Sequence, residues 1–374
     1  MEPAVIFNSE TEHQLLFTVE NVDISIANAI RRTILSDIPT LVFRTIPQER
    51  NNCNIYKNNT RLHNEIIKQR LSCIPIHELS STPQEVLDDY VVELDVENNT
   101  YEPVMVTTKD FRIKRKSTGE YLPTEKVKTI FPPNKLIHQL TGKEYYIDFV
   151  KLRPKIADIP GEHIHLSATL SWGTSSEDGM FNVVSTCSYG ATKDEEKVKE
   201  EYEKQQLVVM EKGLTEEEQH FELKNWLLLD SFRIVKENSF DFIIETVGVY
   251  SNRMIVMMAC DTIIEQLEHI EEYCIIEPAA NTLENSYNIL LQKGDYTIGK
   301  MLEKRLYTNL FETTRMIGFC GFRKAHPHDT YVSIMLSYLQ PLDETYESII
   351  IANIKAAAQD CIYTLSIIRD SFQM

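Results

Sequence analysis

The hydrophobic positions of the chain repeat one strand, turn and helix pattern in two distant segments. Copy one, residues 15–35, aligns with copy two, residues 287–307, after a shift of 272 positions. In each copy an apolar run predicts a strand, and Ser25 or Thr297 is placed to cap the helix that follows. The next apolar residues lie on one helical face: Ile26, Ala27, Ile30 and Ile34 in copy one, and Ile298, Gly299, Leu302 and Leu306 in copy two. We predict a duplicated module, and the alternative is a chance recurrence of amphipathic helices.

A longer amphipathic helix is predicted to follow each copy. Residues 252–272 carry apolar side chains at helical spacing, and the run that begins at Asp343 continues this pattern to Phe372. The apolar faces include Ile255 and Ile263 in the first run and Leu365 in the second. Helices of this length need a partner surface, and the small side chains Ala27 and Gly299 would let another helix approach closely. We therefore predict that the four helices pack on one another within the chain.

The remaining segments predict a domain inserted into the first module. Residues 46–230 contain short alternating strands separated by Pro, Gly and Asn turns, which predicts a β-rich domain that ends in a charged helical stretch over 193–222. Residues 273–286 are interpreted as a linker. The predicted fold class is α+β, with a first module over 1–45 and 231–272 and a second module over 287–374. Each module combines an antiparallel sheet with amphipathic helices.

Charge and cysteine content restrict the function. The chain has 38 Lys and Arg against 56 Asp and Glu, a net charge of -18, so we expect little or no direct contact with nucleic acid. The sequence shows neither a signal-like N-terminus nor a run of about 20 apolar residues, so we expect an intracellular protein with no membrane contact. Seven scattered cysteines predict reduced thiols, mostly in the core.

Catalytic and metal motifs are missing from the sequence. It contains no GxxxxGK[ST], GxGxxG, HExxH, GxSxG or CxxC, and no Asp-rich loop for two magnesium ions. His163 and His165 share one face of a predicted strand and are either an ordinary polar face or two metal ligands. His326 and His328 fit a turn better than a ligand pair. We therefore predict no catalytic residues, no metal and no cofactor.

The role of one basic cluster remains open. Residues 112–116 (RIKRK), preceded by Lys109, suit the tip of a hairpin. The cluster is either a solvated loop or a contact for nucleic acid or an acidic partner.

Four blocks resemble the alpha family of RNA polymerase subunits, which includes bacterial alpha, the archaeal D subunit and the third-largest eukaryotic subunit. The most similar block is NVDISIANAIRRTILSDIPT (21–40), and 60–76, 94–111 and 240–263 follow in family order. The tail resembles the smaller partner, called L in archaea and the eleventh subunit in eukaryotes, through YTIGKMLEKRL (296–306) and GFRKAHPHDTYVSIML (321–336). Both partners on one chain resemble the fused subunit of large cytoplasmic DNA viruses.

This resemblance implies a non-catalytic scaffold in which the two modules pair through their helices. The pair would nucleate docking of the largest and second-largest polymerase subunits, and small subunits would cap it. The family places a large-subunit contact at the second arginine of the first helix, which is Arg32 here, and Arg31 is the weaker candidate. Both arginines lie off the apolar stripe. The insertion has no cysteine-rich metal loop, because only Cys53 and Cys73 precede that stretch and Cys187 follows it.

Two other functions remain open. The chain is alternatively a free enzyme with its active site in the inserted β domain, where His163 and His165 are the candidate residues, or a stand-alone transcription regulator that homodimerises. A viral subunit is expected in the virion and host cytoplasm, and a cellular one in the nucleus.

Overall fold

In the computed structural model the chain divides into two compact units. Unit one comprises Met1–Ile34, Ser185–Glu245 and Asn252–Met374, and unit two comprises Leu35–Val184 and Thr246–Ser251. The residues that the structure describes are 2–77, 79, 84–134, 140–280, 282–292, 294–343 and 345–373.

Helices and antiparallel strands alternate along the chain, in agreement with the predicted α+β class. The helices of the described residues are α1 (Ile24–Ser36), α2 (Asn64–Ser72), α3 (Gln84–Asp89), α4 (Thr124–Ile130), α5 (Glu195–Glu211), α6 (Glu216–Leu228), α7 (Asn252–Glu268), α8 (Tyr296–Leu306) and α9 (Tyr346–Ser371). The strands are β1 (Ala4–Glu10), β2 (Gln14–Glu20), β3 (Thr40–Val42), β4 (Cys53–Asn58), β5 (Tyr90–Glu97), β6 (Val104–Thr107), β7 (Arg112–Arg115), β8 (Asp148–Leu152), β9 (His163–Ala168), β10 (Ser171–Gly173), β11 (Val184–Lys193), β12 (Val235–Thr246), β13 (Cys274–Pro278), β14 (Ser286–Gln292), β15 (Ile317–Arg323) and β16 (Tyr331–Tyr338).

Unit one contains two four-stranded sheets. The first has the strand order β1-β2-β12-β11, and the second, which is antiparallel, has the order β13-β14-β16-β15. In the first sheet β2 pairs antiparallel with both β1 and β12, so that Phe17 lies opposite Phe7 on one side and Phe242 on the other. The rings of Phe17 and Phe242 stack with their centroids 5.0 Å apart. This sheet therefore presents an aromatic surface to the helices of unit one.

The C-terminal helix α9 packs against α7 and α8. Its inward positions recur every three or four residues, as expected for one face of a long helix. They are fully or almost fully buried: Ile350, Ile354, Ala357, Ala358, Cys361, Leu365 and Ile368. Burial of each large aliphatic side chain contributes about 1.5 to 3 kcal/mol before conformational entropy is subtracted. This face makes α9 an integral part of the unit-one core.

Phe372 closes the far end of α9 against the first sheet. It is 2% exposed, and its ring meets Phe7 edge-on at 5.1 Å and Phe17 edge-on at 5.0 Å. Such edge-to-face pairs contribute about 0.5 to 1.5 kcal/mol beyond the buried area. The C-terminal helix is thus fixed at one end by rings from the N-terminal strands.

Two details of the repeat differ from the sequence prediction. The helix caps are Asp23 and Asp295, not Ser25 and Thr297. Each aspartate accepts the amide hydrogen bond two residues later, at 2.9 and 2.7 Å, and the Ser and Thr hydroxyls donate to the same carboxylates. A carboxylate is the better acceptor at a helix N-terminus because the helix dipole favours negative charge there.

The second difference concerns Gly299. A Cβ atom at this position would lie only 2.1 Å from a carbon of the Phe322 ring in β15. The small residue therefore admits an aromatic side chain from the adjacent sheet, whereas the sequence analysis expected a neighbouring helix there.

The stretch predicted as a linker contains regular structure. Cys274–Pro278 forms β13, which pairs with β14 at the edge of the second sheet. Residue 281, also in that stretch, lies outside the described residues. The period-two apolar pattern here is too short to have predicted a strand, because a five-residue edge strand buries few side chains.

Unit two has one four-stranded sheet, β4-β9-β5-β7, and the two-stranded pairs β3-β10 and β6-β8. Its core includes the packed aromatic rings of Phe43, Phe111, Phe131 and Phe149. The β-rich texture agrees with the sequence. The contact division assigns α5 and α6 to unit one, so the predicted limits 46–230 for an inserted domain remain a prediction.

All seven cysteines are free thiols. Burial raises the pKa of Cys260 and of Cys361 to about 12, so both are neutral at physiological pH. They act as small apolar side chains in the unit-one core, which agrees with the sequence interpretation.

Candidate functional site

The two copies of the repeat contact each other through a pair of arginines and the two aspartate caps. Arg32 on α1 donates from Nη2 to Asp295 Oδ2 at 2.9 Å and from Nε to Thr297 Oγ1 at 2.9 Å. In the reverse direction, Arg305 Nη2 on α8 lies 3.6 Å from Asp23 Oδ2. Each helix therefore directs an arginine at the capping carboxylate of the other.

The two halves of this reciprocal arrangement differ in strength. Arg32 makes hydrogen bonds of ordinary length to Asp295 and Thr297, whereas Arg305 makes a longer ion pair with Asp23 and a 3.4 Å contact with Thr364 on α9. The Arg32 and Asp295 side chains remain 36% and 40% exposed. Solvent screens such a pair, so its net contribution is on the order of 0 to 1 kcal/mol.

Asp295 is the charged acceptor in the stronger of these two contacts, the one with Arg32. Burial acts to raise the pKa of this carboxyl, but hydrogen bonds from Thr297 and Arg32 outweigh it, so the pKa lies below its ordinary value. The carboxylate therefore stays charged in neutral solution, where it caps α8 and holds Arg32.

The pKa of Asp295 predicts a dependence of stability on pH. A carboxyl whose pKa is lower in the folded than in the unfolded state, where it is about 3.9, stabilises the protein above that value. This contribution is lost as the pH falls through the folded-state pKa. We expect Asp295→Asn to be less stable than wild type at pH 6 by about 1 kcal/mol. The difference should shrink as the pH is lowered below about 4.

Urea unfolding of both proteins at several pH values tests this expectation. All other carboxyl groups are common to both proteins, so their titration cancels in the difference. A difference that stays constant down to pH 2.5 would show that Asp295 titrates as it does in the unfolded chain.

Arg31 and Arg32 have different surroundings although they are adjacent. Arg31 bonds locally, through Nε and Nη2, to Asn28 Oδ1 at 3.0 and 2.9 Å on the same helix. Both arginines are half-buried. The sequence correctly predicted that they lie off the apolar stripe, but it did not indicate the contact of Arg32 with copy two.

The eleven residues predicted to form the helix interface are all buried in unit one. They are Ile26, Ala27, Ile30, Ile34, Ile255, Ile263, Ile298, Gly299, Leu302, Leu306 and Leu365. Burial alone does not assign each residue to one interface, because these helices also cover the sheets of the same unit. Their role in pairing therefore remains a prediction.

Several polar contacts of α9 were not predicted. Arg369 donates to Asp261 on α7 at 3.1 Å, Lys355 pairs with Glu271 at 2.5 Å, and Tyr363 donates to Glu2 at 3.2 Å. Charged residues on the outer positions of a long helix give no sequence signal that distinguishes a solvated side chain from a paired one.

The two histidines singled out in the sequence lie together on β9 of unit two. His163 Nε2 is 2.6 Å from Asp95 Oδ1, and this hydrogen bond lowers the pKa of the Asp95 carboxyl. The His165 ring lies 4.8 Å from that of Tyr56. Across the described ranges of the chain, no three His, Cys, Asp or Glu side chains are grouped so as to hold a metal ion.

No helix in the described part of the chain is long and apolar enough to span a bilayer.

The chain is similar to subunits of archaeal and eukaryotic RNA polymerases. It is 27% identical over 180 residues to DNA-directed RNA polymerase subunit Rpo3 of Methanosphaera stadtmanae, covering 48% of this chain and 57% of that protein. It is 37% identical over 110 residues to Rpo3 of Thermococcus kodakarensis, covering 29% of this chain and 38% of that protein. It is 26% identical over 196 residues to subunit RPAC1 of the human DNA-directed RNA polymerases I and III, covering 48% of this chain and 51% of that protein. The matched region thus spans less than two thirds of each relative.

A family model covers more of the chain than these pairwise matches. The sequence model of the RNA polymerase Rpb3/Rpb11 dimerisation domain matches residues 16–267, which include α1, unit two and most of α7. The match begins in β2, the strand that carries Phe17, and extends over more than half of the chain. The chain belongs to the family of RNA polymerase Rpb3/Rpb11 dimerisation-domain proteins.

Proposed function

We propose that the chain is a non-catalytic assembly subunit of a multisubunit DNA-dependent RNA polymerase. In this proposal the first and second modules pair within one polypeptide, and the pair is the platform on which the two large catalytic subunits dock. The observation that carries the proposal is the family match over residues 16–267, because the matched family is a dimerisation domain of RNA polymerase subunits.

The contacts of the C-terminal segment support the intramolecular pairing. The helix α9 buries its apolar face against α7 and α8, and Phe372 reaches the rings of Phe7 and Phe17. Arg32 joins α1 to the cap of α8. In the proposal, residues 346–372 cover a surface that a second chain would cover in a heterodimer. Joining two partners in one chain raises their effective concentration, to the millimolar range for a short flexible connection.

The family resemblance of the tail supports a fusion. In the proposal, residues 287–374 provide the L-type or eleventh-subunit partner, and the preceding residues provide the D-type or third-subunit partner. Such a fusion is similar to the subunit of large cytoplasmic DNA viruses, and a viral subunit would act in the virion and host cytoplasm. A cellular one would act in the nucleus.

The proposed partners are the largest and second-largest polymerase subunits, with small subunits capping the platform. Arg32 is the proposed contact to a large subunit, and Arg31 is the weaker candidate. Arg32 keeps about a third of its side chain exposed beside Asp295, so part of its guanidinium remains accessible. Arginine suits such a contact because it binds carboxylates in a bidentate manner and keeps its charge when desolvated.

Affinity purification from the native source tests the proposal. We expect the tagged chain to recover two proteins of polymerase large-subunit size, identified by mass spectrometry, in amounts equal to its own. Recovery of the chain alone under conditions in which polymerase stays intact would contradict it. Recovery of a homodimer, measured by sedimentation of the untagged chain, would support the stand-alone regulator instead.

The alternative function is a free enzyme, favoured by the hydrogen bond between His163 and Asp95. An aspartate that orients a histidine is a common part of acid-base sites. The scaffold proposal predicts that purified protein contains no stoichiometric zinc and neither transfers nor hydrolyses nucleotides. Elemental analysis and nucleotide-turnover assays check this. About one mole of tightly bound metal per mole, or turnover that His163→Ala abolishes, would favour the enzyme.

A further inference from the structure

A helical hairpin of unit one exposes large apolar side chains. Its helices α5 and α6 pack against each other, and the ring centroids of Tyr202 on α5 and Trp226 on α6 lie 6.1 Å apart. The structure describes every residue of α6, and none of them is buried. Phe221 is 70% exposed and Leu228 is 59% exposed. Apolar residues scattered singly over a surface are normal, whereas several on one element mark an interaction surface.

The apolar side chains of α6 lie on opposite sides of the helix. Phe221 and Leu228 are seven residues apart, so they share one stripe. At about 100 degrees per residue, this stripe lies about 140 to 160 degrees around the helix axis from Trp226, which contacts α5. A helix that is apolar on more than one side is typically covered on each of them. Here α5 covers one side, and the stripe of Phe221 and Leu228 remains exposed.

The hairpin is also strongly acidic. Residues 194–233 contain 12 Asp and Glu against 6 Lys and Arg, a net charge of -6 in a chain of net charge -18. Four of these six cations are already paired with carboxylates of the hairpin: Lys197 with Asp194, Lys204 with Glu201, Lys212 with Glu222 and Arg233 with Asp230. These internal pairs occupy most of the positive charge.

The charge that remains unpaired is mainly negative. Lys199 and Lys224 are the two cations of the hairpin that make no ion pair with any described residue. Six glutamates of the hairpin make neither an ion pair nor a side-chain hydrogen bond with a described residue: Glu196, Glu200, Glu203, Glu211, Glu216 and Glu217. The unpaired groups therefore leave an excess of four negative charges on the hairpin.

This charge decides between possible occupants of the stripe. A second copy of the chain would bring an equally acidic hairpin, and nucleic acid would bring phosphates, so both are repelled. A helix fits the geometry, because side chains along one stripe of α6 pack between those of a second helix whose axis lies about 8 to 10 Å away. A helix with Lys or Arg beside its own apolar stripe matches both the charge and the exposed side chains.

We propose that a basic amphipathic helix of a protein partner packs on the stripe of Phe221 and Leu228. Its apolar side chains cover these two residues, and its Lys or Arg side chains pair with glutamates such as Glu217, one turn before Phe221. α6 then lies between α5 and the partner helix, which accounts for the apolar side chains on two of its sides. Lys224, between Phe221 and Leu228, is a charge that opposes such a partner. This contact is independent of the proposed polymerase function.

Fluorescence anisotropy with the full-length protein tests the apolar part of this contact. The probe is the fluorescein-labelled peptide KLKKLLKKLKKLLKK, whose leucines lie on one side of a helix. We expect binding that Phe221→Gln or Leu228→Gln weakens about ten-fold, because each change removes a large apolar side chain from the contact. Leu339→Gln is the matched control, because Leu339 is a leucine of unit one outside the hairpin that is also 59% exposed. We expect it to change the affinity less than about two-fold.

Charge reversal at Lys224 tests the electrostatic part. Lys224→Glu is expected to strengthen binding of the same peptide about five-fold, because it removes the opposing cation and adds a carboxylate between the two apolar residues. Lys151→Glu is the control, since Lys151 is an exposed lysine of unit two without an ion pair to any described residue, and the change in net charge is the same. We expect the control to change the affinity less than about two-fold.

Equal effects of Leu228→Gln and Leu339→Gln, or of Lys224→Glu and Lys151→Glu, would reduce the binding to general attraction by an acidic chain and overturn the proposal. The peptide ELEELLEELEELLEE, which has the same leucines, should not bind, and equal binding of it would show that charge does not select the partner. Sedimentation of the protein alone should show a monomer, and a dimer that Phe221→Gln dissociates would make a second copy the occupant. Phe221→Gln and Leu228→Gln should melt at the wild-type temperature. A clearly lower temperature would show that the stripe is already packed within the chain.

Discussion

Replacing Leu302 with Asp is expected to abolish cooperative folding of unit one. Leu302 is 0% exposed on α8, and the aspartate would place an unpaired charge in the core that α8 shares with α9. Loss of the apolar side chain alone costs about 2 to 5 kcal/mol, and an unpaired buried charge costs several kcal/mol more. Total stability is typically about 5 to 15 kcal/mol, so little should remain. Ile30→Asp, at 1% exposed on α1, should have the same effect.

Thermal unfolding followed by circular dichroism, together with the yield of soluble monomer, measures this effect. Lys304→Asp is the control, since it introduces the same aspartate at an exposed position of the same helix. It should change stability by less than about 1 kcal/mol. If Leu302→Asp and Ile30→Asp remain soluble and unfold cooperatively near the wild-type temperature, these helix faces do not form a core.

Arg32→Ala is expected to weaken docking of a large polymerase subunit by about 2 to 4 kcal/mol, the scale of an arginine hot spot. This prediction rests on the proposed function. The structure adds that Arg32 also bonds to Asp295 and Thr297. The position of Arg32 off the apolar stripe predicts that Arg32→Ala leaves the fold intact, and the sequence gave no sign of this contact with copy two. We therefore expect a small fall in stability, on the order of 1 kcal/mol or less, along with the loss of docking.

Asp295→Ala separates the two roles of Arg32. It removes the charged partner of Arg32 and leaves the arginine and its neighbour Thr297 in place. Pull-down of the second-largest subunit at limiting concentration should be strongly reduced for Arg32→Ala and largely retained for Asp295→Ala. Arg31→Ala should lie between wild type and Arg32→Ala. Equal losses for Arg32→Ala and Asp295→Ala would mean that the arginine acts only through its contact with Asp295. Undiminished recovery of the second-largest subunit by Arg32→Ala would place the docking site elsewhere on the chain.

Local patterns determined the elements and the family. The spacing of Ile26, Ile30 and Ile34 predicts one buried face of α1, and the run to Phe372 predicts the long helix α9, because helical periodicity depends only on neighbours along the chain. The motif around Arg31 and Arg32, together with the blocks that follow it, was enough to identify the family. The absence of phosphate-binding and metal-binding motifs from the sequence was also visible at this level.

Only the tertiary structure decided which distant groups meet. Asp295, one partner of Arg32, lies 263 residues away, and Phe372 packs edge-on against two rings from the N-terminal strands. Neither contact has a local signature. An arginine off the apolar stripe has the same sequence pattern whether it is solvated or paired, and the periodicity that includes Phe372 predicts its burial but not which rings it meets. Sequence periodicity fixes which faces must be buried, whereas the choice of partner depends on shape and charge complementarity between surfaces that the chain brings together in three dimensions.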